Sequence, residues 1–377
     1  MGHGAVPQDV PERLARALMS DRARVAVSLR AHPRAVEGDR VDVAAATMPV
    51  DGPLVDRYGR VHDDLRVSVT DRCNLRCVYC MPEVGMTFQP QSALLSYDEI
   101  VRLGEVAFAL GVRSLRLTGG EPLVRKNLDV LIARLSKVGF SDLSMTTNGM
   151  LLAPLAERLA AAGLRRVNVS CDSLRPERFN AIRRRGDLAT VLASMDSAEA
   201  AGLAPLKVNV VILRGVNDDE VLDFAAFARA TGRVVRFIEF MPLDAQGAWD
   251  RTQLIAGRAI FDEIAARWPL EAIDSDGSAP AERFRFRDGG GEIGLISSVT
   301  QPFCGTCNRL RLTADGAIRN CLFSDDELSA RDVMRRGGTD EELATLLRRA
   351  VWAKFPGHAI NEPDFLRPTR SMSMIGG

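Results

Sequence analysis

The chain has 377 residues, of which 46% are hydrophobic and 26% charged, an ordinary composition for a globular protein with a sizeable core. Its 49 lysines and arginines balance its 49 aspartates and glutamates, so no overall positive charge favours binding to nucleic acid or membranes. No apolar run approaches the length of a membrane span, and no secretory signal is recognisable, so we expect neither a membrane protein nor a secreted one.

Residues 1–60 are predicted to be an N-terminal extension that is poorly ordered. This segment contains Pro33, Gly38, Pro49 and Pro53, residues that break helices and strands. We therefore expect the folded part of the chain to begin near residue 61.

From residue 65 onward, short runs rich in strand-forming residues alternate with segments of helical character. The runs lie at 65–70, 114–119, 143–148, 166–172, 206–213 and 234–241. Ser96 and Glu99 have the spacing of a capping box at the start of a helix predicted over 97–110. This alternation indicates parallel βαβ units, so the fold class is α/β: an incomplete barrel, a complete barrel or a doubly wound sheet.

The strands have one apolar and one polar face, which is unusual for parallel strands that are buried on both sides. In the first run, Arg66, Ser68 and Thr70 alternate with apolar neighbours, and four of the other runs repeat the pattern. In the sixth run the pattern is weaker, because Arg236 shares its face with apolar residues. The polar faces predict a wet lumen, and the basic residues on them predict an anionic ligand.

After about residue 290 the alternation of strands and helices stops. We therefore divide the folded part into a barrel over residues 61–290 and a C-terminal region over residues 291–377. The second part is too small to be an independent enzyme and is expected to cap the barrel.

Six of the seven cysteines form two triads, Cys73, Cys77 and Cys80, and Cys304, Cys307 and Cys321. Three thiolates are one too few for a tetrahedral structural zinc site or for every iron of a four-iron cluster, so each triad predicts a metal centre with an open position. A zinc site or unrelated buried thiols are the alternatives for the first triad. No further His or Cys lies close to it in sequence, which favours a cluster. Clustered cysteines in odd number also indicate a reducing cytoplasm.

The motifs around these cysteines resemble those of a known family. The first triad, with Tyr79 before its last cysteine, and the segment TGGEP at 118–122 resemble the cluster and S-adenosylmethionine (SAM) motifs of radical SAM enzymes. The segment CGTCNRLRLT at 304–313, together with Cys321, resembles the second cluster site of the GTP 3′,8-cyclase family. The segments LTGGEPLVRK, MTTNG, VNVSCDSL, KVNVV and RFIEFM and the C-terminal Gly-Gly also match that family. The resemblance covers about residues 60–377.

The resemblance implies a lyase that converts GTP to (8S)-3′,8-cyclo-7,8-dihydroguanosine 5′-triphosphate, the first step of molybdenum cofactor biosynthesis. It implies two 4Fe-4S clusters: the first triad's open iron would bind SAM, and the second triad's open iron the guanine base. A 5′-deoxyadenosyl radical from SAM would remove the 3′ hydrogen of GTP. The expected fold is then an incomplete (βα)6-type TIM-like barrel, with a C-terminal iron–sulfur subdomain that caps its open face.

The resemblance also implies site residues, position by position. The residues expected to contact SAM are Tyr79, Gly119, Gly120, Glu121, Ser170 and Met241. Those expected to contact GTP are Arg66, Arg116, Thr146, Lys207, Arg309, Leu310 and Arg311. Gly376 and Gly377 are expected to enter the active site and to act there with the first triad, Arg309 and Arg311.

The resemblance further implies a reductant protein of the flavodoxin or ferredoxin type and a downstream cyclic pyranopterin monophosphate synthase. It leaves a monomer and a homodimer both open. Two rival functions are another radical SAM enzyme with an auxiliary cluster, such as a peptide-modifying maturase, and a zinc protein that contacts nucleic acid. Maturases usually carry more C-terminal cysteines than the three found here, and the neutral charge disfavours the zinc protein.

Several weaker signals are also interpreted. Ser114 stands where some relatives have a lysine, so one phosphate contact is missing or replaced. Cys171 is interpreted as a small buried thiol, and the glycine-rich segment 289–294 as a turn. The run at 183–185, three arginines, is predicted to be a solvated face, and His358 to be an isolated histidine with no evident partner.

Overall fold

The computed structural model describes residues 47–274, 277–363 and 365–376. The predicted extension over 1–60 lies outside the described residues up to residue 46. Its last part is described and is anchored: Leu54 is fully buried, and its N–H donates to the carbonyl oxygen of Leu110 at 3.0 Å. Among the helices of the described residues, none is long and apolar enough to cross a membrane.

The six predicted strands are all present and lie side by side in chain order, each parallel to the next. They are β1 (Asp64–Ser68), β2 (Ser114–Thr118), β3 (Asp142–Thr147), β4 (Arg166–Ser170), β5 (Lys207–Ile212) and β6 (Val234–Glu239). The helices after β1 to β6 are α1 (Tyr97–Ala109), α2 (Leu128–Leu135), α3 (Ala156–Ala161), α4 (Pro176–Arg183), α5 (Leu188–Ala200), α6 (Val221–Thr231) and α7 (Gly257–Arg267). The predicted capping box at Ser96 and Glu99 is confirmed.

Further strands extend this sheet at both edges, which the sequence pattern did not predict. Two of them precede residue 290, β7 (Leu270–Ile273) and β8 (Glu282–Phe286), and four follow it, β9 (Glu292–Ile296), β10 (Arg309–Leu312), β11 (Ala317–Arg319) and β12 (Glu327–Ser329). Strand β9 pairs in parallel with β6, and β10 pairs in parallel with β1. Helices α8 (Ala330–Arg335), α9 (Asp340–Trp352) and α10 (Met372–Ile375) complete the described chain.

The sheet is open, as expected for an incomplete barrel, because β12 and β7 form its two edges. The loop at 297–308 connects β9, beside β6, to β10, beside β1. This loop therefore runs from one side of the six-stranded barrel to the other, and it carries Cys304 and Cys307. The glycine-rich segment at 289–294 forms the second part of the connection between β8 and β9 and enters β9 at Glu292, so its interpretation as a turn is correct for residues 289–291 only.

The two faces of the strands are separated as the alternation predicts. Leu65, Val67, Leu115, Leu117 and their counterparts on the other strands belong to one buried core under the helices. Cys171 is fully buried in the same core, which confirms its interpretation as a small buried thiol. The polar face lines a cavity on the opposite side of the sheet.

Candidate active site

Both cysteine triads line a single cavity on the polar face of the sheet. Its wall is built from polar residues of β1 to β5, from the loop after β1, and from residues of the C-terminal region around β10 and β11. The first triad comes from the barrel and the second from the C-terminal region, so two distant parts of the chain share one chamber.

The first triad lies on the loop that follows β1. The N–H groups of Cys80 and Met81 both donate to the carbonyl oxygen of Cys77 at 3.0 Å, which places Cys77 and Cys80 on one tight turn. Burial raises the pKa of Cys73 to about 12 and also raises the pKa values of Cys77 and Cys80. A bound cation removes this penalty, because the thiolate is the form that coordinates metal.

The Gly-Gly pair after β2 is required by close packing against this loop. A Cβ atom on Gly120 would lie 2.4 Å from the carbonyl oxygen of Arg72, so only glycine fits. The N–H of Gly120 donates to Thr70 O at 2.7 Å, and that of Glu121 donates to Arg72 O at 2.8 Å. The end of β2 is thereby joined to the start of the cysteine loop.

Glu121 is buried and accepts hydrogen bonds from the protein at both oxygens. Its Oε1 accepts from Thr147 Oγ1 at 2.7 Å, and its Oε2 accepts from the N–H of Asn148 at 2.7 Å. The side-chain Nδ2 of Asn148 in turn donates to Asn74 Oδ1 at 2.7 Å. Burial raises the pKa of Glu121 to about 7. The carboxyl group thus ties the ends of β2 and β3 to the cysteine loop.

Two cations hold the segments that carry the second triad. Arg60 donates from Nη1 to the carbonyl oxygen of Cys304 at 2.7 Å. Lys354, which is only 4% exposed, donates from Nζ to the carbonyl oxygens of Arg309 and Asn320, each at 2.8 Å. These bonds fix the backbone on both sides of Cys307 and next to Cys321.

The same region favours negative charge on one thiol. Burial by itself raises the pKa of Cys307, but the positive charges of Arg309 and Lys354 outweigh it and lower the pKa to about 6. Burial raises the pKa of Cys304 to about 11. Cys307 is therefore already disposed to be a thiolate ligand.

No three His, Cys, Asp or Glu side chains of the described residues gather closely enough to hold a single metal ion. Each thiolate of a four-iron cluster binds a different iron, so such close gathering is not what a cluster requires. Three buried or half-buried thiols per triad, directed into a cavity, have the chemistry and number that suit a cluster with one open iron.

Three arginines stand in register across three neighbouring strands. Arg66 of β1 is the partner of Arg311 on β10 and of Arg116 on β2. Like charges side by side are destabilising. Burial, with Arg116 and Arg311 adding to it, holds the pKa of Arg66 well below its ordinary value. The buried Nε atoms of Arg66 and Arg236 have no hydrogen-bond partner among the described residues. Asp64 Oδ2 lies 4.0 Å from Arg66 Nε, and the row still has excess positive charge that favours an anionic ligand.

The C-terminal tail reaches the end of this row. Arg311 donates from Nη1 to the carbonyl oxygen of Gly376 at 2.8 Å. A Cβ atom on Gly376 would lie 2.8 Å from Thr118 Cγ2 and 3.0 Å from Ser68 Cβ, at the ends of β2 and β1. Gly377 lies outside the described residues.

Most of the residues predicted for SAM and GTP lie in the wall of this cavity. These are Arg66, Tyr79, Arg116, Gly119, Gly120, Glu121, Thr146, Ser170, Met241, Arg309 and Arg311.

Leu310 and Lys207 are not part of that wall. The Leu310 side chain is buried in the core under the helices. Lys207 is half-buried nearby, and its pKa is lowered to about 8 by burial and by Arg236, Arg166 and Arg116. Ser114, where we expected one phosphate contact to be missing or replaced, donates from its hydroxyl group to Asp142 Oδ2 at 3.2 Å.

Two interpretations of weak signals are wrong. Arg183 is not on a solvated face: it is 3% exposed, and its Nη2 lies 2.7 Å from Asp172 Oδ2. His358 is not isolated: it lines the cavity, its ring centroid lies 4.7 Å from that of Phe323, and its Nδ1 accepts from the N–H of Ile360 at 3.3 Å. Both errors arose because a local run or a lone residue carries no information about long-range burial.

Asn148, Asp172 and Asn209 also lie in the cavity wall, as the alternation along their strand runs predicts for the polar faces. Two other cavity residues were not predicted. Lys354 and His358 lie after α9 in a segment without periodicity, and no local signal marks them.

Comparison with known proteins gives a consistent result. The model of the radical SAM superfamily matches residues 67–228, and that of Molybdenum Cofactor Synthesis C matches residues 233–360. A GTP 3′,8-cyclase of Streptomyces coelicolor is 47% identical over 328 residues, covering 86% of this chain and 96% of that protein. A GTP 3′,8-cyclase of Rhodopirellula baltica is 46% identical over 330 residues, covering 86% and 92%. The predicted division near residue 290 stays a prediction.

Solved structures with low sequence identity share the fold. Streptococcus suis SuiB bound to S-adenosylmethionine has a TM-score of 0.53 and 12% identity, over 81% of this chain and 67% of that chain. Native anSMEcpe with bound AdoMet has a TM-score of 0.52 and 14% identity, over 79% and 82%. At these identities the likeness shows the fold alone, and it agrees with the open α/β barrel described above.

Proposed function

The chain belongs to the GTP 3′,8-cyclase family, and from that premise we propose which of its residues hold SAM and which hold GTP. It is a radical SAM enzyme that converts GTP to (8S)-3′,8-cyclo-7,8-dihydroguanosine 5′-triphosphate in the first step of molybdenum cofactor biosynthesis. It uses two 4Fe-4S clusters and SAM. When bound, the cluster and SAM supply the 5′-deoxyadenosyl radical that removes the 3′ hydrogen of GTP.

At the SAM end, Cys73, Cys77 and Cys80 would hold the first cluster through their thiolates, and SAM would bind next to it. The backbone after β2, around Gly119, Gly120 and Glu121, lies against the cysteine loop and offers polar groups to the SAM amino group. Tyr79, Ser170 and Met241 complete this end of the chamber. This assignment is supported by the position of all these residues in the same cavity wall.

At the GTP end, Cys304, Cys307 and Cys321 would hold the second cluster, and the guanine base would bind next to it. Arg66, Arg116, Arg309 and Arg311, with Thr146 and Lys207, neutralise and orient the nucleotide. Leu310 contributes its backbone beside the two arginines. A row of buried guanidinium groups suits a triphosphate, because each forms charge-assisted hydrogen bonds to phosphate oxygens. The C-terminal Gly376 and Gly377 enter the active site in this proposal, which is supported by the contact of Gly376 with Arg311.

One observation carries this division: the two triads and the row of arginines line a single cavity. The cavity would then hold SAM beside the first triad and the guanine base beside the second. Binding residues from two regions of the chain thus converge on one site for substrate and cofactor.

Other parts of the proposal follow from family membership. A one-electron donor of the flavodoxin or ferredoxin type reduces the first cluster, and a cyclic pyranopterin monophosphate synthase receives the product. We place the enzyme in the cytoplasm, as a monomer or homodimer, and assign residues 291–377 to the region that holds GTP. A peptide-modifying maturase is not favoured, since GTP 3′,8-cyclases are up to 47% identical to this chain over most of its length.

The proposal is tested by anaerobic reconstitution, iron analysis and incubation with GTP and SAM. We expect about eight irons per chain, as two four-iron clusters require, and formation of 5′-deoxyadenosine that depends on GTP. The matched control replaces Cys304, Cys307 and Cys321 with serine, and it should retain about four irons. About four irons in the unaltered chain, or no 5′-deoxyadenosine when GTP is present, would refute the proposal.

A further inference from the structure

Arg183 ends α4 and is buried beside the first cysteine triad. Its side chain is 3% exposed and lies in the cavity wall. Nη1 donates to Cys77 Sγ at 3.4 Å, and Nη2 lies 2.7 Å from Asp172 Oδ2. Burial of a guanidinium group costs desolvation free energy even when a carboxylate lies beside it. A specific role for Arg183 would explain why this group is buried between Cys77 and Asp172.

The backbone fixes the distance between Arg183 and Cys77. The N–H of Arg76 donates to Arg183 O at 3.2 Å, and the N–H of Val78 donates to Ile182 O at 3.0 Å. Cys77 therefore lies between two hydrogen bonds that join the cysteine loop to the end of α4. The contact between the guanidinium and the sulfur is built into the fold and does not depend on a flexible side chain alone.

Asp172 holds the other side of the guanidinium and is itself held from two directions. Its Oδ2 accepts from Tyr79 Oη at 2.7 Å, and its Oδ1 accepts from the N–H of Val211 at 3.0 Å. A guanidinium group stays protonated in proteins, so Arg183 is a permanent cation next to the sulfur.

We propose that Arg183 is a positioning residue that donates to the cluster-bound sulfur of Cys77 and so makes reduction of the first cluster more favourable. The inference rests on the proposed cluster at Cys73, Cys77 and Cys80. Reduction adds one electron, and part of the added negative charge resides on the sulfur ligands. Hydrogen bonds to those sulfurs and nearby charge stabilise the reduced form and raise the potential.

Asp172 sets the size of this effect, since its negative charge partly cancels that of Arg183. Asp172→Asn leaves the hydrogen bond to Cys77 and removes the cancelling charge, so the cluster becomes easier to reduce. The double variant Arg183→Met with Asp172→Asn removes the hydrogen bond without leaving an unpaired buried charge, so the cluster becomes harder to reduce. The two variants are predicted to shift the potential in opposite directions.

The test is a redox titration of the reconstituted full chain, followed by electron paramagnetic resonance. The signal that changes on addition of SAM identifies the first cluster. We expect reduction of this cluster to be at least tenfold less favourable in the double variant, about 59 mV more negative for one electron. Asp172→Asn should shift it to a more positive value. Arg185→Met, an exposed arginine two positions away, is the matched control and should leave the potential unchanged.

An unchanged or more positive potential in the double variant would overturn the proposal. If that variant does not load the cluster, Asp172→Asn decides, and a potential equal to that of the unaltered chain overturns the proposal. A purely structural role for Arg183 predicts lower iron content or thermal stability with no shift of the loaded cluster. If the unaltered chain binds no iron at the first triad, the proposed function fails and this inference fails with it.

Discussion

Replacement of Gly376 with alanine tests whether the C-terminal tail is part of the reaction chamber. Gly376 has φ +86°, a region that other residues rarely adopt, and a Cβ atom there would lie 2.8 Å from Thr118 Cγ2 and 3.0 Å from Ser68 Cβ. The ends of two core strands cannot move away. We therefore expect Gly376→Ala to push the tail out of the cavity.

The size of the effect follows from the contact that is lost. Arg311 donates to Gly376 O at 2.8 Å, and hydrogen bonds to charged groups contribute about 1.5–3 kcal/mol. If the tail must remain in place during turnover, a loss of about 2 kcal/mol lowers kcat about 30-fold. Thermal stability should change little, because a chain terminus can leave its site without unfolding the barrel.

The assay measures the GTP-dependent formation of 5′-deoxyadenosine in reconstituted enzyme, together with the melting temperature. Gly337→Ala is the matched control: it also has a positive φ, +80°, but a Cβ atom there meets nothing within 4 Å. It should retain normal kcat. The reasoning is refuted if Gly376→Ala keeps normal kcat, or if Gly337→Ala loses as much activity as Gly376→Ala.

Two further predictions concern charge. Arg66→Met should weaken GTP binding at least tenfold, as measured by calorimetry. It should also raise the melting temperature of the GTP-free chain, because the change relieves repulsion with Arg116 and Arg311. A lower melting temperature with unchanged GTP affinity would contradict this prediction. Burial lowers the pKa of His358 to about 4, so the unfolded chain binds more protons below pH 6.5. The free energy of unfolding of the cluster-free chain should therefore rise between about pH 4 and pH 6.5, by at most about 3 kcal/mol. The variant His358→Phe should show a smaller rise over this pH range. An unchanged slope in this variant would show that His358 does not titrate as described.

The local sequence pattern was sufficient to predict the barrel strands because the side chains of a strand alternate between its two faces every two residues. Alternation along β1 assigned Arg66 to the lumen and Leu65 and Val67 to the core, where the structure has them. The sides of the strands therefore followed from a repeat of two residues. The capping box at Ser96 followed from a spacing of three residues.

Local pattern misjudged residues whose environment is made by distant segments. Three consecutive arginines at 183–185 look like solvated charge, and only the contact of Arg183 with Asp172 and Cys77 shows that the first of them is buried. His358 has no local partner, and its environment comes from Phe323, 35 positions earlier in the sequence.

The sequence by itself determined the six parallel strands, the identity of their polar faces and the two sets of three thiols. Only the tertiary structure decided that β10 pairs with β1, which brings Arg311 into register with Arg66 and Arg116 and brings Gly376 to the same place. The physical reason is the range of the interactions involved. Side-chain direction is set by the local backbone, whereas strand pairing across more than two hundred residues is set by the packing of the whole chain.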